Sequence, residues 1–130
     1  HMKKIVLALM IVTGVLSTIY LRGDDPTHAK KNAKLMEKKL ALSQEFLPAL
    51  ANEDFTQMKK TAEALSKLAK QQWIENDTPE YQAQLKDFWV VVDGIGTSAK
   101  EKNLDEATLG YVQMTISCVK CHKTLRKNLE

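Results

Sequence analysis

Four stretches of this 130-residue chain carry apolar or small side chains at alternating steps of three and four. The first reads Ala29, Ala33, Met36, Leu40, Ser43, Leu47 and Leu50, and the second Phe55, Met58, Ala62, Leu65 and Ala69. The third reads Tyr81, Leu85, Phe88, Val92, Ile95 and Ala99, and the fourth Ala107, Tyr111, Met114, Cys118, Cys121 and Leu125. This alternation is the core seam of helices packed at about 20° to one another. Four such seams in one short chain predict an all-α, antiparallel up-down-up-down four-helix bundle.

The residues between the seams agree. Asp25-Pro26-Thr27 starts the first helix, with Pro in or just before its first turn. Asn52-Glu53-Asp54 separates the first helix from the second, and Asp54 is a suitable cap for the second. Thr78 is a cap for the third, with Pro79 at its first position. Asn103 ends the third helix and Asp105 is expected to cap the fourth. Pro48 is expected to bend the first helix or end it early. Gly94 and Gly96 weaken the third by up to about 1 kcal/mol each, or let a neighbour approach closely.

Ahead of the bundle the chain looks like an export segment. His1 before Met2 reads as a cloning remnant, and Lys3 and Lys4 precede an uncharged run from Ile5 to Leu21. The run falls in length between a signal-peptide core and a minimal membrane span, and no clear A-x-A cleavage site follows it. Residues 1–24 are therefore expected to be an export signal or membrane anchor, and residues 25–130 the bundle. Either reading places the bundle outside the cytoplasmic membrane, in the periplasm. The chain holds 19 Lys and Arg against 16 Asp and Glu, mixed along its length. No basic stripe with interleaved aromatics and no Gly-rich loop is present, which argues against a nucleic-acid partner.

The chemistry concentrates at Cys118-Val119-Lys120-Cys121-His122, which contains both cysteines of the chain. C-x-x-C-H is the attachment signature of a c-type haem. The thiols add to the porphyrin vinyl groups as thioethers, and the neighbouring imidazole takes an axial position on iron. A helix puts residues i, i+3 and i+4 on one face, so all three reach one macrocycle. The alternatives fit less well. A disulfide or two free thiols is the plain one. A thioredoxin-like pair belongs at the start of a helix in a βαβ setting. A zinc site needs about four protein ligands, and His1 and His28 are far upstream.

Antiparallel order fixes the level of the site. Residue 120 lies about sixteen residues into the fourth helix, and the same count back from Ala51 reaches about residue 35. The inward residue there is Met36, with Leu40 one turn away. On the other helices the same level meets Tyr81, Leu85, Ala69 and Trp73. The expected pocket is thus lined by Met36, Leu40, Trp73, Tyr81, Leu85 and Phe88 or Trp89.

A bundle of this kind with Ser117-Cys118-Val119-Lys120-Cys121-His122 on its last helix, followed by Leu125-Arg126, resembles the cytochrome c′ and cytochrome c-556 family. The resemblance runs from about Thr27 to Lys127. It implies His122 as the fifth iron ligand, Arg126 beside the proximal imidazole, and an exported protein, often a homodimer through its first two helices. In that family a distal Met from the first helix gives a six-coordinate, low-spin electron carrier. A Leu or Phe instead leaves iron open to small gases such as nitric oxide. The candidates here are Met36 and Leu40. The family usually carries Arg four residues before the distal position, where this chain has Asn32, flanked by Lys31 and Lys34. The expectation is a monohaem electron carrier rather than an enzyme. One covalent haem c is held by Cys118 and Cys121, with His122 proximal and Met36 distal on iron. The alternative is a five-coordinate cytochrome binding nitric oxide or carbon monoxide. The partner is then a redox protein or a diatomic gas. Lys120, Lys123, Arg126 and Lys127 are either a solvated helix end or a surface for an acidic redox partner.

Overall fold

In the computed structural model, residues 26–75 and 78–127 are described. The leader, Asp25, Asn76 and Asp77 lie outside them. The described residues form four helices: α1 (Pro26–Ala51), α2 (Phe55–Glu75), α3 (Pro79–Lys100) and α4 (Leu104–Lys127). The chain divides into two compact units, His1–Lys34 and Leu35–Glu130; the second holds the bundle, and the described part of the first is the opening of α1. No helix among the described residues is long and apolar enough to cross a membrane.

Two of the connections share one design. Glu53 and Lys102 adopt left-handed backbone, with φ of 53° and 55°. After α1, the Asp54 N–H donates to the Ala49 carbonyl at 2.8 Å and the Glu53 N–H to that of Leu50 at 3.2 Å. After α3, the Asn103 N–H donates to the Ser98 carbonyl at 2.9 Å and the Lys102 N–H to that of Ala99 at 3.2 Å. This is the Schellman closure, normally built on glycine. The residue that closes one helix also opens the next. Asp54 Oδ1 accepts from the Gln57 N–H at 2.9 Å. Asn103 Oδ1 accepts from the Glu106 N–H at 3.2 Å, while Asn103 Nδ2 donates to Glu106 Oε2 at 3.0 Å. The cap of α4 is therefore Asn103, not Asp105, because Asn103 stands three residues before the free N–H of Glu106. Asp105 sits in the first turn instead, where its charge suits the helix dipole. Pro48 does not end α1 early, since the helix runs on to Ala51.

Cross-helix contacts give the order of the bundle. Glu45 on α1 accepts from Gln57 Nε2 at 2.8 Å and from the Thr61 hydroxyl at 3.0 Å on α2. Gln72 near the end of α2 meets Tyr81 near the start of α3. A Cβ at Gly110 on α4 would meet Ile95 on α3, and Lys120 reaches Asp87. The Phe46 and Tyr111 rings lie 6.0 Å apart across α1 and α4. Consecutive helices are thus antiparallel neighbours, and α4 returns to α1: the all-α four-helix bundle expected from the seams.

On α2 and α3 the inward faces match the expected seams; Met58, Ala62, Leu65, Ala69, Leu85, Phe88, Val92, Ile95 and Ala99 are all buried. On α1 the seam is displaced by one residue. Leu40 and Leu47 are 61% and 60% exposed, while Phe46 is wholly buried and Lys39 half-buried. The inward row runs Leu35, Lys39, Leu42, Phe46 and Ala49, with Met36, Ser43 and Leu50 beside it. Phe46 buries far more apolar surface than Leu47 could in its place, and that gain sets the helix rotation.

Burial differs between the two ends of the bundle. At the end holding the first and third connections, Phe46, Ala49, Leu50, Met58, Ala107 and Met114 are buried. Toward the other end, α2 and α3 stay closed, with Ala69, Gln72, Leu85 and Phe88 buried. The inward residues of α1 and α4 do not: Leu35, Met36, Lys39, Cys118 and Cys121 are only half-buried. The cysteine motif lies at this looser end.

Candidate functional site

Cys118 and Cys121 are on the inward side of α4 with their thiols unpaired. Phe46 facing Tyr111 sets the register with α1. Seven residues back from Phe46 and seven on from Tyr111, Lys39 is level with Cys118; three residues further each way, Met36 is level with Cys121. Met36 is therefore at the level of the motif, and Lys39 lies between Met36 and the closed core.

Lys39 is a charged group whose field reaches both thiols. Its Nζ lies 4.8 Å from the centroid of the Phe88 ring on α3. Burial pushes its pKa down to about 8, opposed by the charge that Cys121 and Cys118 acquire on ionising. Burial raises both thiols above their ordinary range, partly offset by the Lys39 charge. Among the described residues no carboxylate stands within ion-pair distance of Lys39.

The other expected residues divide into two groups. Tyr81, Leu85 and Phe88 are inward on α3. Burial and the charge of Cys121 raise Tyr81, while Gln72 Nε2 donates to its hydroxyl oxygen at 3.3 Å. Gln72 itself is buried, and its Oε1 has no partner. Trp73 instead packs edge-on against Trp89, centroids 6.0 Å apart, along the α2–α3 seam. Leu40 is not brought inward either; Lys39 takes the place the sequence reading gave it. His122 and Arg126 are exposed, one turn apart on α4. Lys120 reaches Asp87 at 3.5 Å, an exposed pair of little energetic weight.

Sequence reasoning missed Lys39 and Gln72. For Lys39 the signal was the row Leu35, Leu42, Phe46 and Ala49, which needs an inward residue at 39 to keep its three-four step. For Gln72 the spacing gives no comparable sign.

These residues fit a c-type haem. Two unpaired thiols and an adjacent imidazole stand one turn apart on one helix. The two thiols border the part of the bundle where α1 and α4 leave apolar inward surface incompletely covered, and Leu85 and Phe88 are buried on α3 at the same end; the imidazole is exposed beside them. Apolar walls suit a macrocycle, and unpaired thiols are the form that adds to vinyl groups. A separate groove between α2 and α3, bordered by Ser66, Lys70, Ile74 and Asp93, includes none of them. No group of three or more His, Cys, Asp and Glu able to hold a bare metal ion occurs among the described residues. No family model, no curated protein and no solved structure matches the chain, so the helices and this motif carry the functional argument by themselves.

Proposed function

We propose that this chain is an exported monohaem c-type cytochrome of the cytochrome c′ kind that transfers single electrons. One observation carries the reading: the two cysteines of C-x-x-C-H sit on the inward side of the last helix with His122 exposed beside them, at the end where α1 and α4 leave their inward residues half-covered. Haem c, once bound, supplies one-electron chemistry at iron, tuned by axial ligands and burial.

Cys118 and Cys121 would hold the group through thioethers, and His122 would offer its imidazole to the iron. Arg126, one turn on, lies along the same side of α4 and adds positive charge near that imidazole. Leu85 and Phe88 keep water from the interior face. The exposed Lys120, Lys123, Arg126 and Lys127 give the attachment edge a positive rim that steers an acidic redox partner. On α1, Met36 and Lys39 are the inward residues at this level and would be the ones able to offer the iron a further donor.

The test is expression with haem maturation machinery followed by mass spectrometry and optical spectroscopy. The expected result is a polypeptide heavier by one haem, which Cys118→Ala together with Cys121→Ala abolishes. A mature chain weighing only its amino acids would end this reading. A low-spin ferric spectrum with no prompt carbon monoxide binding after reduction identifies the carrier. A high-spin spectrum with prompt binding identifies the gas-binding alternative.

A further inference from the structure

We propose that the amine of Lys39, rather than the thioether of Met36, is the sixth ligand to the haem iron. This deepens the reading above and rests on it. The first support is where the side chain goes. Lys39 stands on the inward row of α1, and its tip crosses the interior to lie over the Phe88 ring of α3. A lysine normally turns its charge to water while its methylenes lie along the surface. This one does the reverse.

The second support is what the tip lacks. No carboxylate among the described residues offers it an ion pair. Lys39 is half-buried, and a charge drawn partly out of water without a partner still pays a desolvation cost that neutralising it would relieve. A cation–π contact with Phe88 returns only part of that cost. Coordination resolves it. The ammonium releases its proton to solvent and the freed lone pair forms the bond to iron; nothing is oxidised or reduced. Burial already holds the proton loosely.

The third support distinguishes iron from the propionates, the other haem groups that pair with a lysine. The propionates leave the macrocycle at the edge opposite the thioethers. The charge of Lys39 is felt by both Cys118 and Cys121, and Lys39 is level with Cys118. That position lies on the attachment side rather than at the edge that would carry the propionates.

The experiment uses the full chain matured with haem. Wild type, Lys39→Ala and Met36→Ala are compared by ferric optical and electron paramagnetic resonance spectra, and by carbon monoxide binding after reduction. Wild type and Met36→Ala are expected to be low-spin. Lys39→Ala is expected to turn high-spin, to bind carbon monoxide promptly, and to regain a low-spin spectrum when methylamine is added. Lys39→Gln, which keeps the side chain's bulk, serves if the alanine variant retains too little haem. The proposal is overturned if wild type is already high-spin, or if the low-spin spectrum survives at Lys39→Ala or Lys39→Gln and is lost at Met36→Ala. Absence of covalent haem in wild type would strike the earlier reading instead, so the two failures are distinct.

Discussion

Gly94 and Gly110 lie inside helices, and the same substitution at each should act in opposite directions. Replacing a helical glycine by alanine recovers up to about 1 kcal/mol of backbone entropy and propensity. At Gly94 nothing lies within 4 Å of the added Cβ, so Gly94→Ala should collect that gain nearly whole. At Gly110 the Cβ would stand 2.7 Å from Ile95 Cγ1. That atom is not the free end of a flexible chain. It belongs to a β-branched residue with a stiff χ1, itself only 1% exposed. Accommodating it means moving Ile95 or lifting α4 off α3, at about 1–3 kcal/mol. Net of the propensity gain, Gly110→Ala should destabilise by about 1 kcal/mol, and the two variants should differ by about 2 kcal/mol. For a domain of this size that is a separation of roughly 10 °C in Tm. Thermal unfolding followed by circular dichroism reads it directly, Gly94→Ala above wild type and Gly110→Ala below. Equal stabilisation by both would refute the claim that Gly110 exists to seat the motif-bearing helix on its neighbour.

Glu53→Gly and Lys102→Gly should each raise stability by about 0.5–1 kcal/mol in urea unfolding, because both residues hold a left-handed φ that costs an L-amino acid. In the haem-free chain with its thiols reduced, Lys39 makes stability depend on pH. Its pKa falls from 10.5 to about 8 on folding, so between those values the unfolded chain holds more protons and stability rises with pH. The contribution is full above 10.5 and lost as pH falls through about 8, a span worth roughly 3 kcal/mol. The raised thiols act in the opposite sense above 9, so the measurement is the difference between wild type and Lys39→Met. A difference that stays constant from pH 7 to 11 would count against a buried Lys39.

Most of the fold was readable from spacing because on α2 and α3 the residues of the three-four rows, from Met58 to Ala69 and from Leu85 to Ala99, are the ones turned inward. On α1 two rows compete, one through Leu40 and Leu47 and one through Phe46 and Ala49, and a lysine interrupts the second. A reading that avoids charge on a seam chooses the wrong row. Three-dimensional packing chooses Phe46, and Lys39 is carried inward with it. The start of α4 was misread for a similar reason. Asn103 and Asp105 are both good caps by type, and only the N–H of Glu106 decides between them. The left-handed turns at Glu53 and Lys102 gave no sign because neither is glycine. For the site, C-x-x-C-H placed its three residues on one helix, and the level of Met36 followed from counting. The exposure of Leu40 and the Trp73–Trp89 pairing depend on the rotation of one helix and on partner choice, which spacing does not encode.

The uneven closure of the four rods has a consequence for how the protein is made. The half around Phe46, Met58 and Met114 is filled by the chain's own side chains, so it needs nothing from outside to assemble. The chain can therefore gather that half first and present its sulfurs on an ordered scaffold with an unsealed seam beside them. Amide exchange should be slowest around those three residues and faster along the last turns of the final rod. If haem is attached as proposed, tightening of those turns upon ligation would be the moment at which it completes the molecule.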